Sequence, residues 1–62
     1  MEVFDDWEAA HTAAVLKARQ ANLDMALRAV KEFGHKRFVV SYASHNDSDY
    51  ARAEIVKPSD PL

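Results

Sequence analysis

His45, Asp47 and Asp49 lie close together in a polar stretch and have the side chains of a loop cation site. Asp47-Ser48-Asp49 opens like a calcium-binding loop. The sixth position of such a loop needs glycine for its sharp turn, and the twelfth needs a bidentate glutamate. Here those positions hold Arg52 and Pro58, so the motif is excluded. Ser41, Ser44 and Ser48, with the histidines and aspartates, supply the residue types of a nucleophile–base–acid set. Nothing in the pattern supplies the strained elbow or the oxyanion donors that such a set needs. Gly34 is the only glycine, which leaves no loop to cradle a phosphate. Cysteine is absent, which excludes disulfides and thiolate metal sites. A chain of 62 residues also has difficulty enclosing a substrate pocket. The expectation is a protein that is not an enzyme and holds no metal or cofactor.

Binding chemistry is better represented. Phe4, Asp5, Asp6 and Trp7 form an aromatic–acidic patch. Aromatic residues in a small domain usually join the core, but an exposed tryptophan is the residue type most enriched at binding hot spots. Tyr50 and Arg52, on the outer face of an expected hairpin, form a second candidate surface for a protein partner. Lys17, Arg28 and Lys31 fall on one side when the chain is drawn as a helix, and Lys36 and Arg37 come shortly after. Doubled in a dimer, those cations could track a phosphate backbone. Against this, Asp24 interrupts the row and the net charge is −2.

These residues must be positioned by few elements. The stretch 5–33 contains no glycine or proline and is rich in alanine, leucine, methionine, lysine, arginine, glutamine and glutamate. Those residues disturb a helix least. Asp5 is a candidate N-cap paired with Glu8, and Gly34 can close the other end. His35 would help to terminate the helix. Ala9, Leu16, Leu23, Leu27 and Val30 fall in one stripe at helical spacing. The pattern predicts one long helix, with a bend or break near Asn22 as the alternative. In its second half the apolar arc covers well over half the circumference, too much for one packing partner.

Beyond Arg37 the period changes. Residues 38–43 read as a strand, 44–49 as a turn, and 50–56 as the returning strand. Placing Ala43 opposite Tyr50 puts Phe38, Val40 and Tyr42 on one face with Ile55, Ala53 and Ala51. The two prolines in 58–62 predict a flexible tail. The expected architecture is α+β: a single domain over 1–57, one helix with an antiparallel β-hairpin packed on it.

A chain this short buries only about 60% of the surface its unfolded form exposes. A two-stranded sheet covers about half the length of a 29-residue helix. The expectation is therefore a homodimer paired through the helices. No apolar run approaches the length of a membrane span, so a soluble cytoplasmic protein is expected. The functional expectation is a non-enzymatic interaction or regulatory module with a protein partner. Base rates for so small a chain suggest an accessory or inhibitor protein of a phage or mobile element. The alternative is a dimeric nucleic-acid-binding regulator using the lysine and arginine row.

Overall fold

The structure is a computed structural model and describes residues 2–43 and 53–62. Its elements are β1 (Glu2–Phe4), α1 (Trp7–Ala21), β2 (Met25–Glu32), β3 (His35–Tyr42) and β4 (Glu54–Val56). The four strands form one antiparallel sheet in the order β1-β3-β2-β4, with α1 packed on one face. The class is α+β, with a helix packed on a hairpin, and the elements fall differently from the expectation.

The long helix ends at Asn22. Asn22 adopts the left-handed conformation (φ 54°, ψ 45°) that asparagine tolerates better than most residues. Its own N–H and that of Leu23 both donate to the Ala18 carbonyl, which closes the last turn. The next element is a strand rather than more helix. The wide apolar arc of the second half explains the difference. A segment apolar on both sides suits a strand inside a sheet, and pairing with two neighbours overrides helix propensity. Met25, Leu27 and Ala29 alternate with Ala26, Arg28 and Val30, a period of two that the alanines also let pass for helical.

Gly34 is likewise a turn residue and not a helix cap. Phe33 and Gly34 join β2 to β3 as a two-residue loop, with φ 51° and 80°. Positive φ at both positions is the type I′ turn that suits the right-handed twist of a hairpin. His35 is therefore the first residue of β3 and terminates no helix. The ladder runs from Glu32↔His35 to Met25↔Tyr42, and the bond from Ala43 N–H to the Asp24 carbonyl extends it (3.1 Å).

The expected strand over 38–43 coincides with β3 as far as Tyr42, and Ala43 follows its end. The returning strand pairs elsewhere, since β4 lies against β2, on the side away from β3. Val56 stands opposite Met25 and enters the core, while Ile55 stands opposite Ala26 on the other face. The face shared by Phe38 and Val40 thus takes Val56 rather than Ile55. The expected pairing of Ala43 with Tyr50, and Ala51 with it, lies outside the described residues.

The core lies between α1 and the sheet. Ala10, Ala14, Val15 and Ala18 face Met25, Leu27, Val40 and Val56, with Phe4 and Phe38 packed against them. The buried face of α1 is this alanine row, which lets the helix lie close to the strands. The stripe through Ala9 and Leu16 points outward instead, and Leu16 is 51% exposed. Pairing through the helices thereby loses its premise. The apolar arc that a helical reading leaves uncovered belongs to 25–33, which is sheet and hairpin turn, and the alanine face of α1 is used by its own chain. No helix among the described residues is long and apolar enough to cross a membrane.

Candidate interaction site at the start of the helix

The aromatic–acidic patch is built by the turn between β1 and α1. Phe4 pairs with Phe38 in the sheet and packs, half-buried, against the core. Asp6, not Asp5, caps α1: its carboxylate accepts the Ala9 N–H at 3.0 Å, and its carbonyl accepts the Ala10 N–H at 3.0 Å. The shift of one residue removes Glu8 from the expected capping position. Glu8 instead adds negative charge to the first turn, where the helix dipole favours it. Asp5 is left to face Arg37, with Oδ1 3.7 Å from Nε. That distance is too long for a hydrogen bond, and the buried Arg37 Nε has no hydrogen-bond partner among the described residues. The contact is Coulombic, and solvent around Asp5 weakens it.

Trp7 starts the helix and is 41% exposed. Its ring stacks on His11, one turn on, with centroids 4.8 Å apart and planes at 11°. The i,i+4 spacing puts both on one side of α1. Beside them Glu8, Thr12, Pro61 and Leu62 complete a groove of about 380 Å³. The C-terminal residues reach it because Arg19 holds the chain just before them. Its Nε donates to the Pro58 carbonyl (3.2 Å) and its Nη2 to the Asp60 carbonyl (2.8 Å). The turn between is locked by two bonds: Lys57 N–H to Asp60 Oδ2, and Asp60 N–H to the Lys57 carbonyl, both 3.0 Å. The groove thus has an aromatic floor, an apolar wall, and acids at Glu8 and in the adjoining turn. That combination suits a side chain that is apolar and accompanied by positive charge.

Of the other candidates, Tyr50 and Arg52 lie outside the described residues. The cation row does not share a helix face, because only Lys17 is on α1. Arg28 and Lys31 lie on β2, and Lys36 and Arg37 on β3. The structure therefore gathers four of the five onto one hairpin, divided between its two faces. Lys31 and Lys36 stand directly opposite each other, and Lys36 Nζ lies 5.7 Å from the centre of the Phe38 ring. Arg28 and Arg37 project from the face away from α1. His45, Asp47 and Asp49 fall outside the described residues. Among the described residues, no group of three histidine or acidic side chains could hold a metal.

Sequence reasoning misses Phe33. Helical spacing makes it the last apolar residue of a helix, whereas it is 95% exposed at the hairpin tip. The signal that could find it is two eight-residue runs separated by two residues, the second of them glycine. No protein-family model, no curated protein and no solved structure matches this chain.

Proposed function

We propose that this chain is a small, non-enzymatic interaction module that receives a basic, apolar segment of a protein partner in the Trp7 groove. The observation that carries this reading is the exposed Trp7–His11 stack at the edge of an acidic turn. A rigid aromatic anchor supplies contact area at small entropic cost, and the acids select the charge of what enters. An accessory or inhibitory role, as in phages and mobile elements, is the setting we carry with it on chain size alone.

Trp7 is the only tryptophan, so its fluorescence reports on this groove and nothing else. Titration with a short peptide containing phenylalanine between lysines should give a saturable change in Trp7 emission. The change should be lost in Glu8→Lys. A flat titration at millimolar peptide would remove the reading.

A second reading is favoured by the collection of Arg28, Lys31, Lys36 and Arg37 on one hairpin: contact with nucleic acid. Two-stranded ribbons enter grooves, and an exposed aromatic can stack on a base. Glu32, the Asp5–Arg37 contact and the net charge of −2 weigh against it. Binding to a DNA fragment that falls steeply with salt would support this reading, and no binding at low salt would dismiss it.

A further inference from the structure

The tip of the β2–β3 hairpin breaks three local rules within six residues. Phe33 occupies a left-handed position where asparagine, aspartate or glycine is usual, and a bulky residue there is strained. Its ring is 95% exposed. Lys31 and Lys36, directly opposite across the ladder, repel each other. Local conflicts of this kind cluster at functional or strained positions. Together they present an aromatic knob next to two cations.

The Trp7 groove has complementary features: an aromatic floor, the apolar Pro61 and Leu62, and the acid Glu8 in its lining, with Asp5 and Asp6 in the turn that precedes it. The two features lie at the same end of the molecule. β1 ends at Phe4, opposite Phe38, and α1 begins three residues later. The hairpin continues past Phe38 to its tip at Phe33 and Gly34. The chain also has reason to gain contacts, since among the described residues the largest fully buried side chains are the valines Val15, Val40 and Val56.

We infer that the occupant of the groove is a second copy of this chain. Phe33 of each protomer seats against Trp7 of its partner, with Lys31 and Lys36 beside the partner's acidic turn. One two-fold axis across this end satisfies both contacts, so the assembly closes as a dimer. The inference rests on the groove reading and names its partner.

Three full-length variants test it by sedimentation, from micromolar to millimolar concentration. The wild type should sediment at twice the 7.0 kDa chain mass. Phe33→Asn places a residue suited to the turn, so it should fold at least as well while raising the dimer dissociation constant about tenfold or more. Lys31→Glu replaces a repulsive cross-strand pair with an attractive one, so it too should fold well and yet be monomeric. Glu8→Lys should be monomeric for the reciprocal reason. Mixing Lys31→Glu with Glu8→Lys should restore a dimer, because each of its two contacts again joins opposite charges. A wild type that stays monomeric, a dimer unaffected by Phe33→Asn, or a mixture that stays monomeric would each overturn self-pairing. If the wild type is monomeric while Trp7 emission still responds to the lysine–phenylalanine peptide, self-pairing falls and the groove reading stands. If neither is seen, both fall.

Discussion

Two neighbouring segments, Trp7–Ala21 and Met25–Glu32, draw on much the same residues and take opposite structures. Both are rich in alanine and carry leucine, lysine, arginine and glutamate, and both lack glycine and proline. The first is capped at each end and buries one narrow face. The second comes after a residue in the left-handed conformation and pairs with β3 along its whole length and with β4 over Met25–Leu27. What separates them is the distribution of apolar residues around the axis. The helix needs to bury only Ala10, Ala14, Val15 and Ala18. The strand carries apolar side chains on both faces, and a sheet gives each face its own neighbours. Composition leaves the choice open, and caps and pairing partners decide it.

The most direct way to break this comparison uses two leucines that helical spacing treats as equivalent. Leu27 is buried in the core of β2, while Leu16 is half-exposed on α1. Leu27→Ala should lower unfolding free energy by about 3 kcal/mol, through lost burial and the cavity left behind. Leu16→Ala should stay within about 0.5 kcal/mol of the wild type. Urea denaturation measures both, and equal losses would favour one continuous helix.

The close approach of α1 to the sheet gives the next effect. Ala14 is fully buried in the row that meets the strands. Ala14→Leu should destabilise by about 1–3 kcal/mol, because three added carbons have nowhere to go without moving the helix. On a helix facing solvent the same change would be nearly neutral, so a neutral result would argue against close packing of α1 on the strands.

Gly34 sharpens the other side of the comparison. A methyl group added there would meet nothing within 4 Å, so space does not constrain it, but φ of 80° does. Gly34→Ala should cost about 1–2 kcal/mol, from the left-handed backbone alone. Thermal unfolding monitored by circular dichroism reads the change. No loss would mean that the tip does not hold the type I′ geometry.

The parts legible in the sequence are those signalled locally. The strand over 38–43, the aromatic–acidic patch and the break near Asn22, the last only as the alternative to one long helix, all come from adjacent residues. β1 is not legible, since three residues carry no period and form a strand only by pairing with β3 more than thirty residues on. β4 fails differently. Its residues read as a strand, but turn chemistry favours the nearest partner, and the sheet gives it the edge of β2 instead. Phe33 is hidden because Phe-Gly is not the usual turn pair, so its glycine reads as a cap. The groove needs Arg19 to hold Pro58 and Asp60, a long-range contact that local spacing does not encode.

The smallest effect concerns where the helix starts, and it separates two adjacent aspartates. Asp6 accepts the Ala9 N–H at 3.0 Å, whereas among the described residues Asp5 makes the long, solvent-weakened contact with Arg37. Asp6→Ala removes a cap and leaves a backbone donor of the first turn unsatisfied, at a cost of about 1 kcal/mol. Asp5→Ala should change stability by less than about 0.5 kcal/mol, because an exposed ion pair at that distance contributes little. If Asp5→Ala proves the more damaging, the helix begins one residue earlier. Trp7 and His11 keep their i,i+4 spacing in that case. Glu8 would then be the third residue of the helix, where it can reach back to the cap, and would be drawn away from the groove whose charge it sets.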